Sequence, residues 1–404
     1  MLGLPVATNY GSKFMAASSI ERNSNNAKRE RTARVFGLDA LRAAAILMVV
    51  STHAFPAIYQ QMPAWFGLIG HGGFYGVELF FVLSGFLIGQ ILIRYDLDLA
   101  RAGTLVKFYL RRWFRTLPLF WLFLGLNVLL EVGLRSRSLS VSEVVSHGFF
   151  LRNFAANRMS FFGESWSLAI EEWFYLLFPA ALWISLSIWK RFDRVFLAIA
   201  AGFFLFSTIG RIIAAHDPGA DWVEWQRKIV IYRFDALMIG IFAAWFSIRF
   251  PTRWQSSRAL CAIAGSILLL AMYATLWSTH GDKIAFGADS FFARTFRFTF
   301  VSLGFALLLP AASRWELMKE NFGSRVVRRI SLWSYSLYLL HLPLFDLVMR
   351  LTFHGWESSA GQAFLLFSLQ MTSAIVLSAM LYRFFERPCT GLREKVAPKM
   401  AALS

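Results

Sequence analysis

Within the apolar run LDALRAAAILMVVSTHAF, residues 38–55, Arg42 and His53 stand eleven positions apart. Eleven residues make about three helical turns, so both side chains fall near one face, separated by about 16 Å along the axis. An imidazole, with an ordinary pKa of about 6.5, can act as general base toward a hydroxyl, and a guanidinium forks onto phosphate or carboxylate. The plainer reading pairs Arg42 with Asp39 three residues earlier and leaves His53 among external headgroups.

Other ionisable residues in apolar surroundings sharpen the question. The segment ESWSLAIEEWFYLLFP carries adjacent carboxylates, Glu171 and Glu172, expected about one turn inside the membrane at the external depth of His53. There a carboxylate could orient the imidazole. FYLRRWFRTLPLFW sets Arg111, Arg112 and Arg115 on a cationic face interleaved with aromatics, which suits either an anchor on anionic lipid or a phosphate clamp. Glu78 lies several residues inside GHGGFYGVELFFVLSGFLIGQILIR, where two pairs each spaced four apart, Gly72 with Gly76 and Gly85 with Gly89, allow close helix approach. Arg233 and Asp235 in YRFDALMIG read as a local ion pair, and His341 in SYSLYLLHLP as either a core histidine or part of a cavity.

These residues must be positioned by helices in lipid. The 404 residues are 57% hydrophobic and 16% charged, with 42 Phe and 15 Trp, which excludes ordinary soluble domains. Apolar stretches of about 20 residues, enough to cross roughly 30 Å of hydrocarbon, recur along the chain. The expected fold is all-α, a polytopic transmembrane bundle of about ten spans at 36–57, 69–93, 117–134, 166–189, 195–214, 230–248, 259–277, 295–313, 332–352 and 362–383.

A net charge of +17 would suggest nucleic acid in a soluble protein, but the basic residues concentrate in 1–34, 94–116, 190–194, 249–258, 314–331 and from 383 onward. The last three external loops hold only Arg227, Lys228, Lys283 and Arg294, so the pattern follows the positive-inside rule, with both termini cytoplasmic and no nucleic-acid partner. Residues 1–34 read as a disordered basic tail, 35–390 as one membrane domain and 391–404 as a C-terminal cytoplasmic tail. Cys261 and Cys389 are too few and too scattered for a disulfide framework or a thiolate metal site, and no metal is expected. In the largest external loop, 135–165, the stretch SVSEVVSHGFFLRNF could form a short helix, lying at the surface or dipping into the bundle, that helps build an acceptor site.

Taken together, the Arg42/His53 arrangement, GVELFFVLSGFLI with Ser84 and Gly85, the Arg112/Arg115 pair, WSLAIEEWFYLLFP beginning at Trp166, YRFDALMIG, SYSLYLLHLP and the terminal YRFFERP resemble the bacterial membrane acyltransferases of acyltransferase family 3. The resemblance runs from about residue 36 to 390. It implies a multi-pass enzyme of the bacterial inner membrane that moves an acyl group, most often acetyl from acetyl-CoA, onto a hydroxyl of a surface polysaccharide, lipopolysaccharide or other glycan.

Carried over to this sequence, the resemblance makes His53 the essential histidine, Arg42 its arginine partner, Arg112 and Arg115 the donor-linked pair and Glu171 or Glu172 the carboxylate. It also implies acyl-CoA as co-substrate with no bound cofactor, a free or lipid-linked glycan acceptor, membrane lipids around the chain and envelope-glycan assembly partners. Many relatives append an external esterase-like domain, so a chain ending at Ser404 is expected to act without one or to recruit a partner. The competing class is a proton-coupled transporter or flippase of a lipid-linked or glycan substrate, which buried Arg, His and Glu would also suit, although the two halves share no repeated motif.

Overall fold

The computed structural model of the chain describes residues 35–54, 72–216, 226–277, 291–317, 319–352 and 359–397. The expected tail at 1–34 and the outer ends of the first two expected spans lie outside the described residues. The chain is a polytopic helical bundle, and among the described residues there is no strand. Its principal helices are α1 (Phe36–Ala54), α2 (Gly72–Tyr95), α3 (Ala102–Gly133), α4 (Val141–Gly148), α5 (Ser165–Ile188) and α6 (Phe192–Ala214). They continue with α7 (Phe234–Arg249), α8 (Arg258–Trp277), α9 (Arg297–Ala312), α10 (Phe322–Thr352), α11 (Ala360–Leu381) and α12 (Arg387–Val396).

Every expected span coincides with a helix, and eight described helices are long and apolar enough to cross a membrane. The expected spans at 230–248 and 295–313 are shorter: α7 and α9 have 16 residues each, about 24 Å of helix. Both carry buried charge in their first turns, Asp235 on α7 and Arg297 on α9, and Asp235 is held by side chains of other helices. At the other extreme, α3 has 32 residues, because the arginine-rich segment before the third expected span continues the same helix. Residues 391–397 are held to the bundle, since α12 packs on α3 and Arg111 pairs with Glu394 at 2.9 Å. The expected surface helix is α4, started by a capping box between Ser140 and Glu143.

The centre of the bundle is α2, 72% of whose spanning window is buried, against 11% for α8 and 22% for α6 and α11, which form the periphery. It packs against α1, α7 and α9. Gly85 and Gly240 make the α2–α7 crossing possible: a Cβ on Gly85 would collide with the Leu237 carbonyl, and one on Gly240 with that of Val82.

A buried charge network ties these helices together. Glu78 on α2 pairs with Arg233 at 2.5 Å and accepts a bond from Ser302 on α9 at 3.0 Å. Asp235 on α7 pairs with Arg211 on α6 at 2.9 Å, accepts from Thr299 on α9 at 3.0 Å and lies 3.7 Å from Arg233. All four charged side chains are fully buried. Placed singly in hydrocarbon, each would cost roughly 2.5–3.5 kcal/mol, whereas two acids and two arginines together cancel in charge. The Arg233–Asp235 pair expected from the sequence is therefore one edge of a network spanning four helices.

Glu164, one residue before α5, is buried, and its Oε1 has no hydrogen-bond partner among the described residues. Burial pushes its carboxyl up to about 8. The folded protein therefore keeps the proton above the ordinary value of 4.5, at which the unfolded chain releases it, so stability is lost as pH rises between these values. In detergent, the thermal aggregation temperature of the wild type should fall from pH 5 to pH 8 more steeply than that of Glu164→Gln; parallel profiles would refute this. Arg233→Ala should cost about 3–5 kcal/mol by stranding Glu78, and Glu78→Met combined with Arg233→Met should recover much of that loss in the same assay.

Candidate functional site

Beside α2, on the side away from the charge network, lies a cavity of about 490 Å³. Its wall includes Arg42 from α1, Ser84, Gln90 and Arg94 from α2, Arg112, Arg115 and Thr116 from α3, Glu171 and Tyr175 from α5, Tyr335 and Tyr338 from α10, and Arg393 from α12. Five arginines face one carboxylate, so the cavity is cationic and suited to a phosphorylated or otherwise polyanionic ligand. A smaller hollow of about 220 Å³, bounded by Arg387, Glu386 and Glu394, shares Arg115 and Arg393 with it.

Helical phase sorts the three neighbouring arginines of α3. Arg112 lies over the Tyr175 ring at 4.9 Å and reaches the cavity together with Arg115. Arg111, a step of about 100° round the helix, turns to α12, where it meets Glu394 and donates to the Ala397 carbonyl at 2.6 Å. Two of the three expected donor-site arginines thus share the cavity, and the third fastens its floor. Arg42 lies 3.9 Å from Asp39, which also accepts from Ser331 at 2.7 Å. The plain ion-pair reading and the cavity reading of Arg42 both hold geometrically.

Of the two adjacent glutamates, Glu171 lines the cavity. Its Oε1 accepts from Ser84 at 2.6 Å and its Oε2 from the Tyr175 hydroxyl at 3.1 Å; Ser84 and Tyr175 are 3.0 Å apart. Glu172 is buried off the cavity wall. The expected depth of Glu171 needs correction. His53 stands beside Thr52, whose hydroxyl accepts from the amide of Gly73 at the start of α2, whereas Ser84 lies eleven residues further down that helix, about 16 Å. Glu171 therefore sits at the level of Arg42, and the expected Glu171–His53 pair is not formed. The reason is the chain before α5: Phe150, Asn153, Phe161, Phe162 and Glu164 are buried, so this loop dips into the bundle and α5 begins deeper than a surface loop would place it.

What lies next to His53 is His341, with ring centroids 5.1 Å apart. His341 is fully buried on α10, its Nδ1 is 2.6 Å from the Tyr338 carbonyl, and its ring centroid is 5.7 Å from that of Tyr338. Tyr338 walls the inner end of the cavity and shares a hydrogen bond of 2.5 Å with Ser167 on α5. The chain of contacts from the arginines to the histidines is thus cavity, Tyr338, His341, His53.

The remaining expected residues support this site without lining it. Glu78, Arg233 and Asp235 belong to the buried network, Gly85 to the α2–α7 crossing, and Trp166 packs edge-on against Phe81 with Arg227 at 5.1 Å from its ring. Sequence reasoning missed Ser167, Tyr175, Tyr335, Tyr338, Arg94 and Arg393 in the site and Arg211 in the network. Only Arg211, a charge inside an expected span, carried a signal that could have been read. Among the described residues no group of His, Cys, Asp and Glu could hold a metal ion.

Curated relatives resemble the chain over most of its length. The peptidoglycan O-acetyltransferase OatA of Listeria monocytogenes is 27% identical over 371 residues, covering 87% of this chain and 55% of that protein. A Bacillus subtilis protein provisionally named as a peptidoglycan O-acetyltransferase, YrhL, is 28% identical over 381 residues, covering 87% and 54%. A Staphylococcus aureus protein provisionally named as an O-acetyltransferase is 26% identical over 375 residues, covering 87% and 56%. The chain spans about half the length of the curated relatives it matches. No solved structure matches it. The sequence profile of the acyltransferase domain matches residues 35–383, from just before α1 into the turn after α11, and the chain therefore belongs to acyltransferase family 3.

Proposed function

We propose that the chain is a membrane O-acyltransferase that takes an acetyl group from cytoplasmic acetyl-CoA and delivers it to a hydroxyl of peptidoglycan or a related cell-surface glycan. It would act in the inner membrane of a bacterium, with both termini cytoplasmic and envelope-glycan assembly proteins as neighbours. The observation that carries this reading is one cavity lined by five arginines and separated from a histidine pair by Tyr338. Family membership and the names of the relatives support the acyl-transfer chemistry.

Each part of a thioester donor then has a counterpart. Arg112 and Arg115 hold phosphates, Arg94 and Arg393 extend the cationic surface, and Arg42 guides the donor arm inward. Glu171, braced by Ser84 and Tyr175, offsets part of this charge, so that a bound anion remains able to leave. His53 takes the proton of the sugar hydroxyl as its oxygen bonds to the acyl carbon. The carbon–sulfur bond breaks, the thiolate leaves, and the imidazolium returns the proton to it, giving an ester and free CoA.

Two variants test the assignment in inverted membrane vesicles supplied with radiolabelled acetyl-CoA, with base-labile label on glycan as the readout. His53→Ala should lower kcat by about 10²–10⁴-fold with unchanged expression; transfer at the wild-type rate would remove the mechanism. Arg115→Ala should raise the apparent KM for acetyl-CoA about tenfold, a loss of about 1.4 kcal/mol in donor binding, while Arg111→Ala leaves KM near wild type. Equal KM in all three proteins would return the arginines of α3 to a purely topological role.

A further inference from the structure

His341 has no task in the scheme above, yet its surroundings define its chemistry closely. Its Nδ1 lies 2.6 Å from the Tyr338 carbonyl oxygen, three residues earlier on α10. A carbonyl oxygen only accepts, so in the neutral ring the proton sits on Nδ1 and Nε2 carries a lone pair. Nε2 is buried and has no hydrogen-bond partner among the described residues. An orphaned acceptor inside a bundle is disfavoured, and an apolar residue would pack against Phe345 and Tyr338 without that penalty. The neighbouring ring is His53, in contact at a centroid separation of 5.1 Å and an interplanar angle of 47°, close enough for a small ring rotation to bring one of its N–H groups to Nε2.

We propose that His341 is a positioning residue for His53: the two rings touch without a hydrogen bond in this structure, and a small turn of the His53 ring lets His341 Nε2 accept its ring N–H, which leaves the other His53 nitrogen unprotonated and aimed at the acceptor hydroxyl. The inference rests on the acyl-transfer reading for its consequence, though not for the contact itself. His341 exchanges no proton with substrate. It does for His53 what a carboxylate does for the histidine of a catalytic triad, but without adding negative charge to the hydrocarbon. Because the tautomer of His341 is set by the backbone of the turn that carries Tyr338, the wall of the donor cavity and the orientation of the base belong to one rigid piece of α10.

The test uses the full chain in membranes, with acetyl transfer from radiolabelled acetyl-CoA as one readout and histidine side-chain ¹⁵N spectra in bilayers as the other. His341→Leu should lower kcat about 10²-fold with the KM for acetyl-CoA unchanged. His341→Gln, whose amide oxygen falls where Nε2 stood, should recover at least about tenfold of that loss. In a His53→Ala background, His341→Leu should have no further effect. In the spectra, His53 should hold one tautomer in the wild type and in His341→Gln and become a mixture in His341→Leu. Wild-type kcat in His341→Leu, equal loss in Leu and Gln, or an unchanged His53 spectrum in Leu would each overturn the proposal. A clear tautomer change in a chain that transfers no acetyl would instead uphold the contact and overturn the acyl-transfer reading.

Discussion

Charge neutrality within a dry interior is the constraint on which the rest of this bundle depends. Glu78, Arg233, Asp235 and Arg211 come from separate parts of the chain and are tolerable in hydrocarbon only when assembled. Their assembly fixes α2 against α6, α7 and α9 in one register, and α2 then offers its opposite side, with Ser84, Gln90 and Arg94, as a wall of the cavity. A network that never touches the cavity thereby decides where the cavity is.

The site divides its labour by depth. Five arginines line the cavity, Tyr338 closes its end toward His341, and His341 and His53 stand beyond that tyrosine. Tyr175, Tyr335 and Tyr338 give this boundary polar tips on apolar bodies, and each hydroxyl has a partner: Tyr175 bonds Glu171, Tyr335 the Thr116 carbonyl at 2.7 Å, and Tyr338 Ser167 and the Glu164 carbonyl.

Much of this was legible in the sequence because hydrocarbon rejects charge. Arg42, His53, Glu78, Glu171, Arg233, Asp235 and His341 announced themselves as ionisable groups in apolar runs, and helix periodicity located the spans. Partner choice was not legible, since it depends on which helices meet: nothing in YRFDALMIG points to Arg211 or Glu78. Depth failed for Glu171 because residue counting assumes that loops stay at the surface, and the loop before α5 does not. The distinction between Arg111 and its neighbours needed the position of α12, which composition alone leaves open.

The crossing of α2 and α7 has a mechanical consequence. At Gly85 and Gly240 the two backbones touch with no side-chain layer between them. Two helices in such contact cannot slide by exchanging rotamers, because there are none at the seam to exchange. The α2 wall of the cavity is therefore an anvil. Any breathing that admits a bulky ligand has to be carried by the opposite side, where α3, α10 and α12 meet through long tyrosine and arginine side chains that can re-pose without parting the helices.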